Sequence, residues 1–313
     1  MADKKIVVPV VIGMDAGGTK TKVEIADLGG NALACFFGDG MNVNSYPEKE
    51  CEAHFASMLE KAVSFLESPA QIRKLSVGIA GSSNPKTKAF LERGAEAIGL
   101  TEAPLVMGDH EAALYGAHVG GDGIILIAGT GSVCYGTRLE NGMRRFGRSG
   151  GWGHLIDDEG SGYAIGRDVL SLVVRAEDRR IPPTAIREAV FERLGISSVR
   201  ELISFVYSPN TGKKEIAQLA PLIMIGIEKN EREAEAVLDK AARELAKDVI
   251  SVAGQLDLDT PTLSLFGGVL EKNLVLREKL AAELSKALPK LKITEPLYDA
   301  AHGAVIAALE NLA

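Results

Sequence analysis

The sequence predicts an α/β protein built from two domains of similar design. Short apolar segments rich in β-branched residues alternate with segments of helical periodicity, which is the pattern of a mainly parallel sheet covered by helices. A strand, a glycine-rich turn and a second strand open each half of the chain, at residues 10–27 and 123–146. The 313 residues are enough for two domains with separate cores.

The repeated opening favours an internal duplication over a chance similarity of two hairpins. In both hairpins the same nine-residue interval separates a turn threonine from a leucine. Glycines cluster near 118–122, where a flexible boundary is expected. We therefore predict an N-terminal domain over 1–118 and a larger C-terminal domain with a helical insertion over 119–313. The last helix of the second domain could pack back at the domain interface.

The elements are predicted in order from periodicity and from turn residues. After the opening hairpin, the first half is expected to contain strands at 32–37, 75–80 and 105–108, and helices at 48–66, from 85 to about 98, and at 111–119. The second half is expected to contain three strands over 123–146, several helices over 160–254, a strand over 262–266, a helix over 271–287, a strand over 290–294 and a helix over 299–312.

Composition and charge exclude several classes of protein. The chain is 46% hydrophobic and 25% charged, and its net charge of −7 argues against nucleic acid as a partner. The apolar run at 6–14 is too short to span a membrane and no cleavage site follows it, so no membrane partner and a cytoplasmic location are expected. Cys35, Cys51 and Cys134 are far apart and are predicted to be reduced thiols.

The turn of the first hairpin, DAGGTK at 15–20, has the residues of a phosphate site. Gly17 and Gly18 allow close approach of the backbone to an anion, while Thr19 and Lys20 add a hydroxyl and a positive charge. Asp15, at the mouth of the turn, could hold Mg²⁺ directly or through water. An ordinary tight hairpin whose glycines serve only the turn is the alternative, because short glycine motifs are common.

Two further glycine-containing turns follow apolar strands, AGTGS at 128–132 and FGGV at 266–269. Ligands of open α/β sheets bind beyond the carboxyl ends of the strands, so the first two turns could clamp a phosphate chain from opposite walls of a nucleotide and sugar cleft. The third turn could admit a nucleoside. TGKK at 211–214 is not a P-loop, because it lacks the upstream glycine and follows no strand.

These motifs resemble those of the actin-like (ribonuclease H-like) ATPase superfamily, which includes sugar kinases and heat-shock ATPases. DAGGTKTK is similar to its first phosphate motif, IAGTGSV to its second and LSLFGGV to its adenosine motif. MGDHEAA (107–113) and GGWGHLIDDEGSGYAIG (150–166) are closer to the BadF/BadG/BcrA/BcrD ATPase family and to its N-acetylglucosamine kinase-like members. The resemblance implies a two-domain actin-like fold, ATP and Mg²⁺ as cofactors and an amino-sugar substrate.

Asp109 is the predicted catalytic base. It stands between a predicted strand and a helix, where its position alone fits a helix N-cap as well as a general base. The resemblance to the family's catalytic aspartate favours the base, which would accept the proton of the attacking sugar hydroxyl.

The sugar-binding residues are carried over by resemblance, with structural alternatives beside them. Trp152 could lie against a pyranose ring or belong to the core, and the DDEGS sequence could bind hydroxyls or cap the next helix. Asn42 matches the family's sugar-binding asparagine, although Asn44 is close to it in sequence and turn chemistry explains either. The predicted sugar contacts are Asn42, Asp109, Gly151, Trp152, Gly153, Asp158 and Gly162.

The nucleotide contacts also follow from the resemblance. Gly226 is a weaker candidate for the adenosine wall than the FGGV turn. The predicted ATP contacts are Gly17, Gly18, Thr19, Lys20, Gly129, Thr130, Gly131, Gly226, Gly267 and Gly268, with Asp15 at the metal.

The resulting hypothesis is an ATP-dependent kinase that phosphorylates the 6-hydroxyl of N-acetylglucosamine or a related amino sugar. The sequence leaves N-acetylglucosamine, glucosamine, N-acetylmuramic acid and plain hexose open. An iron–sulfur activator ATPase of an acyl-CoA dehydratase is the alternative, disfavoured by the cysteine spacing. A sugar sensor is a third class, and it is disfavoured because no DNA-binding segment is recognisable before Ile6. A homodimer is expected, since similar kinases dimerise and most soluble oligomers have twofold symmetry.

Overall fold

The computed structural model describes residues 5–43 and 46–312. The packing of the chain separates it into two compact units. The first unit contains the chain up to Asp122 together with the segment from Glu295 onward, and the second contains Gly123–Thr294. The break after Asp122 lies at the end of the glycine-containing stretch 118–122.

The first unit is built around a five-stranded sheet of order β3-β2-β1-β4-β5. Strands β1, β2 and β3 form an antiparallel meander, while β4 runs parallel to β1 and β5 runs parallel to β4. Its elements up to the boundary are β1 (Val10–Ala16), β2 (Lys20–Asp27), β3 (Ala32–Asp39), α1 (Glu48–Ser64), β4 (Ile72–Ile79), α2 (Pro85–Ala97), β5 (Leu105–Met107) and α3 (Asp109–His118), with a short 3₁₀ turn at Pro69–Gln71 before β4.

The second unit repeats this sheet. Its five strands have the order β10-β9-β6-β7-β8, with β6, β7 and β8 antiparallel, β9 parallel to β6 and β10 parallel to β9. Its elements are β6 (Gly123–Ala128), β7 (Ser132–Glu140), β8 (Met143–Gly150), α4 (Gly162–Glu177), α5 (Ile186–Leu194), α6 (Val199–Val206), α7 (Lys213–Ala217), α8 (Ile223–Glu228), α9 (Arg232–Gln255), β9 (Thr262–Phe266), α10 (Gly268–Lys272), α11 (Leu274–Ala287) and β10 (Lys292–Ile293), with a 3₁₀ turn at Ala220–Leu222. The predicted α/β class with two similarly built sheets is confirmed.

Each central strand is buried because both faces of its sheet are covered. All residues of β1 except Asp15 are buried, and all residues of β6 except Ile127 are buried. A nearly continuous apolar run is what a strand covered on both faces requires. The two half-buried positions are therefore the places where each central strand approaches solvent.

The last helix, α12 (Ala300–Glu310), packs on β1 and α3 within the first unit. Small residues make this close approach possible, because a Cβ on Gly303 would lie 1.9 Å from the Ala112 carbonyl oxygen and one on Gly116 would lie 2.2 Å from the Asp299 carbonyl oxygen. We predicted that this segment belongs to 119–313 and that its helix could pack back at the domain interface, whereas it packs on α3 and β1 of the first unit.

Several predicted element boundaries differ from the structure by a few residues, and two of the differences change an interpretation. The helix expected over 271–287 is divided into α10 and α11, because the Asn273 side chain accepts a hydrogen bond from the Leu276 N–H at 2.9 Å and begins a new helix there. Asp109 is the first residue of α3 and not the last of a strand, and Gly108 occupies the N-cap position. The N-cap alternative for Asp109 is therefore wrong.

Within the described ranges, no helix is both long and apolar enough to cross a membrane.

Candidate active site

In the first unit, the β1–β2 turn is shaped by its own backbone and by the chain after β3. The Gly17 N–H donates to the Lys20 carbonyl at 3.1 Å, and the Gly17 carbonyl accepts from the Met41 N–H at 3.1 Å. A Cβ on Gly40 would lie 2.8 Å from the Gly18 carbonyl oxygen, so the chain after β3 packs directly beneath the turn. Thr19 and Lys20 remain exposed. A tight turn with a hydroxyl and an ammonium at its tip is suited to holding an anion.

Asp15 lies half-buried beside this turn, opposite Lys22 in the β1–β2 register. Burial, followed by the negative charges of Asp109 and Asp299, raises its pKa from 3.8 to about 6, although Lys20 and Lys22 oppose the shift. Burial and like charges disfavour the ionised form of such a carboxylate, and a cation bound nearby would stabilise it.

The donor chemistry of Asp15 fits Mg²⁺ held mainly by water and phosphate oxygens. Across residues 5–43 and 46–312, no group of three or more histidine, cysteine, aspartate or glutamate side chains converges as a metal cage. Mg²⁺ usually keeps several waters and needs only one or two carboxylates together with substrate phosphates. A single carboxylate beside a turn that is suited to an anion therefore fits this requirement.

Sequence reasoning missed Lys22 and Asp299, two charged residues that act on the pKa of Asp15. Asp299 is the N-cap of α12, accepting from the His302 N–H at 3.1 Å, and its other carboxylate oxygen forms an ion pair with the Lys22 ammonium. The capping pattern before the last helix was readable in the sequence. The pairing was not, because 277 residues separate its two members.

Asp109 begins α3 and keeps its side chain 50% exposed. Its Oδ1 accepts the His110 backbone N–H at 2.9 Å and lies 3.4 Å from the His110 ring. The interaction with the His110 side chain, together with these backbone N–H groups, lowers the pKa of Asp109 below its usual range against the effect of burial. The carboxylate is therefore ionised at neutral pH and accessible, as a proton acceptor must be.

The structure aligns Asp15 and Asp109 at one edge of the first sheet. Asp15 of β1 pairs with Gly78 of β4, and Gly78 pairs with Met107 of β5, two residues before Asp109. With strands spaced about 4.8 Å apart, Asp15 and Met107 lie roughly 10 Å apart at this edge.

Asn42 lies in the loop after β3. Its backbone carbonyl accepts the Tyr46 N–H at 2.9 Å, which is a turn contact of the kind considered from the sequence. Asn44, the alternative sugar contact, lies outside the described residues.

In the second unit, the β6–β7 turn joins the start of α4. The Gly162 N–H donates to the Gly129 carbonyl at 2.8 Å, and the Tyr163 N–H donates to the Thr130 carbonyl at 3.2 Å. Gly131 closes the turn by accepting the Gly129 N–H at 2.9 Å. The structure thus brings together four of the predicted site residues, Gly129, Thr130, Gly131 and Gly162.

The two glycines of the FGGV turn have different surroundings. Gly267 has a φ of +91°, and a Cβ there would lie 2.4 Å from the Ala128 carbonyl oxygen, so the end of β9 abuts the β6–β7 turn. Gly268 is exposed, and a Cβ there would meet no described atom within 4 Å. Gly267 is fixed by packing, whereas Gly268 faces open space that a ligand could use.

Gly226 is not assembled with these turns. It lies buried in α8, where a Cβ would meet Ala234 of α9 at 2.6 Å and Ile186 at 2.9 Å. These neighbours explain the glycine by helix packing, and they include none of the predicted nucleotide contacts.

The segment between β8 and α4 carries the predicted sugar contacts. Trp152 is 67% exposed, so the alternative that it belongs to the core is wrong. Its backbone N–H donates to Asp157 Oδ2 at 3.1 Å, and the Arg148 guanidinium lies 4.4 Å from the centre of its indole. Gly153, with a φ of +100°, follows it in open space. The segment therefore presents an aromatic face held by an arginine.

The end of this segment caps the next helix and also contains a buried ion pair. Ser161 is the N-cap of α4, accepting from the Ala164 N–H at 3.2 Å, so the capping reading is confirmed. Asp158 is 3% exposed and accepts the Lys213 ammonium at 2.5 Å. Lys213 was passed over in the sequence because TGKK is not a P-loop, and its pairing with Asp158 had no local signal.

A cavity of about 240 Å³ lies in the second unit, and four of the predicted site residues line it, Gly131, Gly151, Gly153 and Asp158. It is lined by Gly131, Ser132, Val133, Tyr135, Arg148, Gly151, Gly153, Asp158 and Lys213. A larger depression of about 630 Å³ lies in the first unit by the amino ends of β1, β4 and β5, and none of the predicted site residues lines it. The smaller cavity is therefore the one associated with the predicted chemistry.

Two sheets of identical strand order, each with a glycine-rich turn after its central strand, define a two-domain α/β kinase-like fold. A solved structure from Chromobacterium violaceum, described as a candidate N-acetylglucosamine kinase, is similar to this chain with a TM-score of 0.71 at 25% identity, over 96% of this chain and 99% of that one.

The chain belongs to the BadF/BadG/BcrA/BcrD ATPase family, which matches residues 12–310. It is 33% identical over 301 residues to an N-acetylmuramic acid/N-acetylglucosamine kinase of Clostridium acetobutylicum, covering 95% of this chain and 97% of that protein. It is 28% identical over 316 residues to an N-acetyl-D-glucosamine kinase of Dictyostelium discoideum, covering 96% and 98%. The family membership expected from the motifs is confirmed.

Proposed function

We propose that this chain is an ATP-dependent kinase that transfers phosphate to the 6-hydroxyl of N-acetylglucosamine or a closely related amino sugar. One observation carries the proposal: the carboxylate of Asp109 is ionised and half-exposed. It lies at the edge of the sheet where the β1–β2 turn also lies. The similarity of nearly the whole chain to amino-sugar kinases supports this choice of acceptor.

The proposed contacts are those that the family resemblance implies, and the local geometry supports several of them. Thr19 and Lys20 hold phosphate oxygens in the first unit, and the β6–β7 turn, Gly129–Gly131, does so in the second. Gly268 leaves room for the adenosine. The sugar is bound by Asn42, by the 151–153 segment and by Oδ1 of Asp158, whose Oδ2 is occupied by Lys213. The cleft predicted from the sequence stays a prediction.

In the proposed reaction, Asp109 accepts a hydrogen bond from the sugar hydroxyl and then its proton, while the hydroxyl oxygen attacks the terminal phosphorus and ADP leaves. Asp15 would hold Mg²⁺ through water, and the ion, when bound, neutralises charge on the phosphates. The ionised state of Asp109 at neutral pH supports its part in this reaction.

Location and assembly complete the proposal. A kinase that uses ATP fits the cytoplasm, and we propose a homodimer on the general preference of soluble proteins for twofold assemblies.

The iron–sulfur activator alternative gains no support from the cysteines, since Cys51 and Cys134 are buried and Cys35 alone among them is exposed.

Substitution of Asp109 by asparagine tests the proposal. Asp109→Asn keeps the size and can still hydrogen-bond the sugar but cannot take its proton, so kcat is expected to fall about 10²–10⁴-fold with a modest change in sugar Kd. Glu96→Gln, an exposed carboxylate of the first unit, is the matched control and should leave kcat unchanged. If Asp109→Asn retains wild-type kcat, the base is misassigned, and if Asp158→Asn abolishes turnover instead, the two roles are reversed.

A further inference from the structure

We propose that Lys213 is a phosphate-binding residue that contacts the β- or γ-phosphate of the nucleotide above the β6–β7 turn. The inference rests on the proposed kinase function and extends its phosphate site to a side chain that neither the glycine motifs nor the predicted contacts include. Lys213 is the first residue of α7, a helix of the connection between β8 and β9.

The position of the ammonium is the first argument. A Cβ on Gly131 would lie 2.5 Å from the Lys213 Nζ and 2.9 Å from Asp158 Oδ2. A side chain at 131 would therefore displace the ammonium, and the glycine keeps a positive charge in contact with the backbone of the turn. The Lys213 ammonium therefore lies beside the turn that is proposed to bind phosphate. A hydrogen bond from a cation to an anion is stronger than one between neutral groups.

The second argument is the way in which Lys213 is held. Asp158 is 3% exposed and accepts the ammonium at 2.5 Å, so the long lysine chain is fixed before any ligand arrives. An ammonium has three N–H donors, and a single carboxylate oxygen uses one of them. The Lys213 side chain is still 30% exposed, which leaves the charge reachable from the cavity.

The third argument is the character of the cavity that Lys213 lines. Arg148 lines the same cavity of about 240 Å³ and donates to the Gly150 and Gly151 carbonyls at 3.2 and 2.8 Å. Two cations and the small backbone of Gly131 and Gly153 face this space, against the single carboxylate of Asp158. This lining favours a compact, multiply charged anion, and the terminal phosphates of ATP are that chemistry within the proposed reaction.

Binding of AMP, ADP and ATP distinguishes a phosphate contact from a contact with adenosine. Trp152 is the single tryptophan and is exposed beside Arg148 in this unit, so its fluorescence, or calorimetry where fluorescence is silent, reports binding. Lys213→Gln can still donate to Asp158 but lacks the charge. It is expected to weaken ADP and ATP binding about tenfold or more and AMP binding less than twofold, and Lys213→Arg should restore most of the loss.

Lys214→Gln is the matched control, because Lys214 is exposed and adjacent in sequence. It should bind all three nucleotides as the wild type does. An unchanged Kd for ADP and ATP in a folded Lys213→Gln variant overturns the proposal, as does equal weakening of AMP, which would indicate a distorted site. If the wild type itself neither binds ATP nor phosphorylates a sugar, the kinase function fails, and that outcome is separate from the behaviour of the variant.

Amine footprinting of the wild-type protein tests the same contact without a substitution, in case Lys213→Gln does not fold. Acetylation of Lys213 and Lys214 is followed by mass spectrometry with AMP, ADP or ATP present at saturation. ADP and ATP are expected to protect Lys213 several-fold more than AMP does, with Lys214 modified equally throughout. Equal modification of Lys213 in all three complexes contradicts the proposal.

Discussion

The two sheets share one strand order and one set of strand directions but differ at the position where each central strand approaches solvent. In the first sheet this position is Asp15, paired with Lys22, and in the second it is Ile127, paired with Val133. All four residues are half-buried. The comparison shows that the two sheets share one architecture, while two charged residues face each other at this position in the first sheet alone.

The second unit obtains its charged groups from elsewhere. Among the described residues, the connection between β3 and β4 in the first unit contains one α-helix, whereas the connection between β8 and β9 contains six, from α4 to α9. Asp158 and Lys213 both come from this longer connection. We infer that the first unit supplies the carboxylates that act on the proton and the metal, and that the second unit adds glycines and cations to the phosphate site.

Between the two central strands, the larger effect is expected when the charge of the first is removed. Asp15→Asn should lower kcat/KM for MgATP by about 10²–10³, the usual result of removing one preorganised electrostatic group, and should raise the Mg²⁺ concentration needed for half-maximal rate. Ile127→Val, at the matching position of the second sheet, should change the rate less than about twofold. Equal losses in the two variants would remove the functional distinction between the strands.

The same substitution should stabilise the protein when metal and nucleotide are absent. Because the folded-state pKa of Asp15 is about 6 and its ordinary value is 3.8, the folded protein holds this proton more tightly, and the ionised group costs stability above pH 6. Asp15→Asn is therefore expected to raise the free energy of unfolding at pH 8 by up to about 3 kcal/mol.

Urea unfolding in chelator from pH 8 to pH 4 measures this difference. The advantage of Asp15→Asn over the wild type should shrink as the pH falls through 6 and should be nearly lost by pH 4. A difference that is independent of pH, or that grows on acidification, would show that Asp15 is not destabilised by its surroundings.

A smaller effect is expected at the proposed adenosine wall of the second unit. A Cβ at Gly268 would meet no described atom within 4 Å, so the fold should tolerate Gly268→Val while the nucleotide loses space. KM for ATP is expected to rise about tenfold with the sugar KM unchanged, which corresponds to about 1.4 kcal/mol. Gly267→Val is a poor probe, because its collision with Ala128 would disturb the turn itself. A parallel rise of both KM values for Gly268→Val would place the adenosine elsewhere.

Local patterns in the sequence were sufficient for most elements of the fold. The β9 bounds, Thr262–Phe266, coincide with the predicted strand, and α1 begins at the predicted Glu48, because burial and turn residues act over short stretches of chain. The repeated hairpins likewise predicted the repeated sheet.

Contacts between distant residues were not predictable in this way. The Lys22–Asp299 and Asp158–Lys213 pairs are separated by 277 and 55 residues, and neither pair is implied by periodicity. The return of α12 to the first unit depends on the complementary small surfaces of Gly116 and Gly303, whose meeting is a property of the folded chain. Site residues that belong to local motifs could be proposed from the sequence. The distant side chains that pair with or pack against them could not.

The most direct measurement is product analysis with the wild-type enzyme. ATP is incubated with N-acetylglucosamine, N-acetylmuramic acid, glucosamine or glucose, and the products are analysed by phosphorus–proton correlation NMR alongside ADP release. We expect one ADP for each sugar phosphate, with the phosphate on the 6-hydroxyl and with kcat/KM higher for an amino sugar than for glucose. ATP hydrolysis that leaves every sugar unmodified, or phosphate on a different hydroxyl, would contradict the assignment.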